Sequence, residues 1–197
     1  MGSIRGTISD KNGKAMSKVS VKLLNENFEE IISTITNEDG EYHLNTENGH
    51  YPFMLAVKDY KEKYLEFWCQ NINLNKDIII NGSIDKLEVY GLHCFRILGA
   101  YPSLTVYFRP MSLEKYNKGE DDISPNITND SIKAFINSEN IKILKINKIK
   151  EYLGDTCLTA YLIQVSLPEI LLNKNENLLD VQIFDLEGFF GQASIFF

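Results

Sequence analysis

Ile4-Arg5-Gly6-Thr7-Ile8-Ser9-Asp10-Lys11-Asn12-Gly13, followed by Val19-Ser20-Val21-Lys22-Leu23, is the stretch that decides the fold. In both pieces small or apolar side chains alternate with polar ones. A period of two puts one set on the buried face of a strand and the other in water. The link Asp10-Lys11-Asn12-Gly13 is turn chemistry: Asp and Asn bond their own backbone, and Gly accepts a positive φ. The pattern continues outward. Residues 31–36 are a β-branched run, and Asn37-Glu38-Asp39-Gly40 is a second turn leading into Tyr42-His43-Leu44. Asn48-Gly49 is a third turn, before Tyr51 and Phe53-Met54-Leu55-Ala56-Val57, and Lys76-Asp77-Ile78-Ile79-Ile80 is a last strand. Short strands punctuated by Gly, Asn and Asp predict a β-sandwich over residues 1–82.

The remainder, residues 83–197, reads the same way. Leu87-Glu88-Val89-Tyr90 starts a strand, and Ser103-Leu104-Thr105-Val106-Tyr107-Phe108-Arg109 alternates cleanly up to Pro110. Residues 156–167 are a long apolar strand stopped by Pro168. Leu179-Asp180-Val181-Gln182-Ile183-Phe184, the turn Asp185-Leu186-Glu187-Gly188 and residues 191–197 form a hairpin. Single helical turns are predicted over 112–116 and 130–136, the second capped by Asn129 or Asp130. Lys142, Lys145, Lys148 and Lys150 stud an Ile-rich run, as in an edge strand guarded against pairing with other chains. The expected fold is all-β: two tandem β-sandwich domains, 1–82 and 83–197. The second is read as immunoglobulin-like, with a polar insertion near 117–131.

The opening stretch, the segment Thr34-Ile35-Thr36-Asn37-Glu38-Asp39-Gly40-Glu41-Tyr42-His43-Leu44, and Gly49-His50-Tyr51 followed by Phe53, Leu55 and Val57 together resemble a carboxypeptidase regulatory-like domain. The resemblance covers residues 3–81. Ala15 stands where the family usually has Pro, and Lys18 where it usually has Gly. The resemblance implies a seven-stranded, transthyretin-like sandwich and no activity of its own, because such modules accompany many unrelated proteins. Hydroxyisourate hydrolases share that architecture but carry a C-terminal Tyr-Arg-Gly-Ser that is absent here. Intradiol dioxygenases need two Tyr and two His around iron, a pattern that His43, His50 and His93 do not offer.

Hydrophobic residues make up 44% and charged residues 24% of the chain, enough apolar material for real cores. Net charge is −7, with 9 Lys+Arg against 12 Asp+Glu up to residue 82 and 11 against 15 beyond it. Acidity spread over both halves argues against nucleic acid as a partner. No apolar run is long enough for a transmembrane helix. No basic segment followed by an apolar stretch opens the chain, so the reading is a cytoplasmic protein or a secreted or cell-surface one trimmed of its leader. Cys69, Cys94 and Cys157 fit no metal or redox spacing and read as small buried hydrophobes.

Chemistry-bearing motifs are sparse. Glu120-Asp121-Asp122 reads as a solvated acidic loop, since adjacent side chains diverge and no cation-loop spacing exists. His43 and His50 lack a third ligand, and His93-Cys94 face opposite ways on a strand. No Gly-rich phosphate loop, nucleophile elbow or zinc-protease motif is present. No catalytic, metal or cofactor residues are therefore assigned. What remains is aromatic: Tyr60, Tyr64, Phe67 and Trp68 in the first half, Tyr90, Tyr101, Tyr107 and Phe108 in the second. Alternating aromatics mostly form core, yet exposed ones near polar groups stack sugars or anchor proteins. Trp68, His93, Tyr101, Tyr107 and Arg109 are the ligand-binding candidates, with Arg109 expected to pair with Glu114. The expected function is a non-catalytic module of a bacterial envelope or secreted assembly, binding glycan or protein. The alternatives are a small enzyme using His93, Arg109 and Asp85 or Glu88 between the domains, and assembly by edge-strand pairing.

Overall fold

The computed structural model describes residues 1–154 and 156–197. The first half holds β1 (Gly2–Ser9), β2 (Ser20–Leu24), β3 (Glu30–Ile35), β4 (Glu41–Thr46), β5 (Gly49–Val57), β6 (Phe67–Leu74), and the short β7 (Ile78–Ile79) and β8 (Gly82–Ser83). The second holds β9 (Leu87–Phe95), β10 (Ser103–Ser112), α1 (Leu113–Asn117), a 3-10 turn (Asn129–Ser131), β11 (Ile132–Ile136), β12 (Glu139–Ile141), β13 (Ile143–Leu153), β14 (Thr156–Ser166), β15 (Leu178–Phe184) and β16 (Phe190–Phe196). The fold is all-β, as the alternation predicts. Residues 132–136, expected as helix, are strand instead. Only the 3-10 turn, entered from Thr128, precedes them. Alternating Ile132, Ala134 and Ile136 are buried, and a pairing partner in β15 outweighs the weak capping signal.

Three sheets build the molecule. A small sheet runs β4-β1-β7, with β8 also on β1, and a second runs β13-β14-β10-β9. The third has eight strands in the order β12-β11-β15-β16-β6-β5-β2-β3 and belongs to both halves. Its seam is a parallel pairing of β6 with β16, in which Trp68 lies opposite Ala193 and Cys69 opposite Ser194.

That register fixes the layering. Cys69 and Phe67 point into a core with Ile4, Ile8, Val21, Leu44 and Met54. Ala193 and Ile195 point into a separate core with Val106, Phe108, Tyr161, Ile163 and Val181. Residues opposite each other across the seam share a face. The two cores therefore lie on opposite faces of the long sheet: β4-β1-β7 covers one face over its first-half strands, and β13-β14-β10-β9 covers the other over its second-half strands. The long sheet is left bare on each side, in a step, where one cover ends.

Close backbone approach explains two glycines. A Cβ on Gly6 would sit 1.9 Å from the Ile80 carbonyl oxygen, and one on Gly191 would sit 2.7 Å from the Leu87 carbonyl carbon. Lys18 has φ 59°, the left-handed geometry that glycine adopts freely, so the turn survives the Lys at a conformational cost. Among the described residues, the lysine-rich β13 pairs only with β14 and is an edge. Pro110 does not stop β10, which runs on to Ser112. Among the described residues, pairing with β14 ends at Phe108, so a missing N–H at 110 removes no ladder bond on that side.

Candidate functional site

The step on one side of the long sheet forms a cleft of about 400 Å³ lined by Phe28, Phe53, Trp68, Gln70, Tyr90, Gly91, His93, Tyr107, Arg109 and Glu151. Phe53, Trp68 and Gln70 rise from the bare face of β5 and β6. Tyr90 and His93 come from β9, and Tyr107 and Arg109 from β10. A bulge makes this second wall: Tyr107 pairs with His93 and Arg109 with Tyr90, with a register shift between them and Gly91 at φ 62°. A bulge re-aims side chains locally. Phe108, between the two cleft residues, points inward and stacks on Tyr161 in the second core.

The aromatic floor is ordered. Phe28 and Phe53 stack with ring centroids 4.7 Å apart and planes 16° from parallel. Trp68 stands almost perpendicular to both, at 6.3 and 6.2 Å. Phe28 is 56% exposed and sits in a turn at φ 61°, a backbone region that suits Gly or Asn and costs a bulky residue.

The polar rim is paired. Arg109 Nη1 donates to Glu151 Oε2 at 3.0 Å, and the Tyr107 hydroxyl donates to the same oxygen at 2.6 Å. The guanidinium lies 4.7 Å from the centre of the Tyr90 ring, a cation–π contact. Glu114, the partner expected for Arg109, instead pairs with Lys86. Beneath Trp68, the indole N–H donates to Glu88 Oε1 at 3.1 Å. Glu88 is 1% exposed, and burial, reinforced by neighbouring Glu66, raises its pKa to about 8. Burial likewise raises Glu66 to about 6. Among the described residues, Glu88 Oε2 and Arg109 Nε are the buried side-chain polar atoms without a partner.

Four of the five ligand-binding candidates, Trp68, His93, Tyr107 and Arg109, thus line one cleft. Tyr101 does not: it lies 72% exposed in the loop between β9 and β10 and is absent from the lining. Phe67 is core and Tyr64 packs against core. Of the acid–base set suggested for an enzyme, His93 and Arg109 share the cleft and Glu88 lies beneath it within electrostatic reach of Arg109, whereas Asp85 is engaged elsewhere. Asp85 accepts the Phe190 N–H and sits 3.7 Å from Lys11, and Glu88 faces Trp68. Sequence reasoning missed Phe28, Phe53, Gln70 and Glu151. A lone Phe within the polar run Asn25-Glu26-Asn27-Phe28-Glu29 was a usable signal. For Glu151, which arrives from β13, no local signal exists.

Other candidates resolve into structure. Asp122 is not a free loop carboxylate: it accepts from Thr159 Oγ1 at 2.6 Å, from the Thr159 and Ser124 amides and from Lys150. Those bonds hold its pKa below the usual carboxylate range despite opposing burial. His50 bonds Asn71, while His43 lies opposite Arg5 on β4. Cys69 is buried, and burial pushes the partly buried Cys94 thiol up to about 12, away from reactive thiolate. Cys94 packs on the second core while His93 lines the cleft. No helix among the described residues is long and apolar enough to cross a membrane.

No family model matches this sequence, and a search of curated proteins finds no match. Solved structures with overall likeness include a DUF3823 family protein from Bacteroides ovatus, 11% identical at a TM-score of 0.34, with 100% of this chain and 99% of that chain covered. A candidate carbohydrate-binding protein from Bacteroides uniformis gives 11%, 0.34, and the same 100% and 99% coverage. The major pilin subunit of Bacillus cereus gives 13% and 0.33, covering 98% of this chain and 67% of that one. At these scores the likenesses carry no argument about what the chain does.

Proposed function

We propose that this chain is a non-catalytic binding module and that its ligand is a glycan seated in the aromatic cleft between the two halves. The observation that carries the reading is Phe28. A large ring is held in a strained backbone geometry, more than half exposed, and stacked so that Phe28, Phe53 and Trp68 enclose one end of the cleft. Strain kept at an exposed position where Asn would relieve it argues for a contact the turn itself does not need. Sugar rings present C–H faces to aromatic rings and hydroxyls to polar rims, and the cleft offers both. Residues 3–81 fit in this proposal as a carboxypeptidase regulatory-like module, and 83–197 as its sandwich partner.

The test is a glycan array followed by titration of the positive members, read by isothermal titration calorimetry, because Trp68 is the sole tryptophan and cannot report on its own replacement. Saturable binding that is lost in Trp68→Ala and weakened in Phe28→Asn, but kept in Tyr101→Ala, supports the cleft. Binding lost in Tyr101→Ala and kept in Trp68→Ala places the site elsewhere. No glycan bound at all rejects the glycan reading and leaves a protein ligand.

A further inference from the structure

Resting on that glycan reading, we infer that the cleft selects uncharged saccharides bearing a vicinal diol, through the Arg109–Glu151 pair, and rejects uronic acids. Beside the imidazole of His93, the charged side chains lining the cleft are these two, and each is matched by the other at 3.0 Å. Glu151 Oε2 accepts from both Arg109 and Tyr107. Among the described residues, Glu151 Oε1 and Arg109 Nη2 make no side-chain hydrogen bond. The pair therefore presents an acceptor beside a donor. Two adjacent sugar hydroxyls complement that edge, one oxygen accepting from the guanidinium and the other hydroxyl donating to the carboxylate.

An anionic ligand meets the opposite situation. Its carboxylate approaches Arg109 only beside Glu151, and displacing Glu151 strands a carboxylate that also holds Tyr107. Like charges at such separations repel, and more strongly in a partly dry cleft. Tyr90 covers one face of the guanidinium, which leaves its edge for the ligand. Glu88 below adds no countercharge that would draw a cation into the floor, because its carboxyl is kept in the neutral form by burial. Binding energy for a neutral ligand then comes from ring stacking plus charge-assisted bonds, without desolvating a ligand charge.

The experiment pairs neutral hexose oligosaccharides from the array with uronic-acid oligomers of equal length, titrated against wild type, Glu151→Gln and Arg109→Lys, with circular dichroism as the fold control. Wild type is expected to bind the neutral oligomers at least about tenfold more tightly, the scale of one charge-assisted hydrogen bond. Glu151→Gln is expected to weaken neutral binding and strengthen uronate binding, so that the ratio narrows. Arg109→Lys, which loses the planar fork, is expected to weaken neutral binding while leaving the unfolding transition in place. Uronate bound as tightly as neutral sugar by wild type, or a ratio unmoved by Glu151→Gln, overturns the charge assignment and leaves the glycan reading intact. Failure of both oligomer classes to bind overturns the glycan reading itself.

Discussion

The long sheet has two steps, one on each face, and they are built from opposite chemistry. On one, aromatic rings surround a polar pair with unused donors and acceptors. On the other, a recess of about 480 Å³ lies between the edge at Ile79 and Asn81 and the bare face bearing Phe135, Asp180, Gln182 and Gln192. There Asp180 accepts from the side chains of Gln182, Gln192 and Ser194, and Gln192 in turn accepts the Ser83 amide. Burial pushes the Asp180 pKa up against the pull of those three bonds. The contrast teaches that a recess alone does not make a site. In the second step every lining amide and carboxylate named here has a partner within the protein, tying the long sheet to β8. In the first, groups are left over for something else.

Variants can break this contrast, and Trp68→Ala has the largest expected effect. Ligand binding should disappear, and stability should fall by about 2 kcal/mol, less than for a fully buried aromatic because the ring packs on the second core from one side. Titration and chemical denaturation measure the two effects separately. Asp180→Ala should do the reverse. It leaves two buried donors, on Gln192 and Ser194, and the half-buried Gln182 amide without an acceptor, at a cost of about 1–3 kcal/mol, while cleft affinity stays unchanged. If Asp180→Ala abolished glycan binding with the fold intact, the division between a binding step and a structural step would be wrong.

The pH dependence sharpens the same division. Glu88 and Glu66 have folded-state pKa values raised to about 8 and about 6, above their unfolded values, so the folded state retains protons the unfolded state has released. Stability should be highest at acid pH with respect to these groups, fall as pH rises between about 4.5 and 8, and level off above that. Glu88→Gln should flatten most of that slope in thermal unfolding followed from pH 5 to 8.5. A variant curve parallel to wild type would show that another group supplies it. The smallest effect is expected for Phe28→Asn. Relief of the positive φ should stabilise the fold by about 0.5–1 kcal/mol, whereas glycan affinity drops several-fold. A gain in both would remove the case for strain retained for binding.

Parts of the site were legible and parts were not. Trp68, Tyr107 and Arg109 could be picked from residue type and strand alternation, since a large amphipathic side chain on an outward position has few structural uses. Tyr101 was picked on the same grounds and misplaced, because nearness in sequence to Tyr107 says nothing about which way a loop turns. Arg109 shows the limit most clearly. Glu114 is five positions away, but the actual partner, Glu151, is brought in by sheet pairing across β14.

The sequence by itself determined that the chain is all-β and located many of its strands by their alternating core-facing side chains, although β6 and β12 went unread and β11 was read as helix. Those features follow from side-chain alternation and local turn chemistry, which act within a few residues. Only the tertiary structure decided that β6 and β16 pair in parallel. Strand edges offer the same N–H and C=O groups to any partner, so no local pattern names which edge meets which. That single pairing fuses the halves, places the two cores on opposite faces of one sheet and opens the aromatic step where Phe28, Trp68, Arg109 and Glu151 meet.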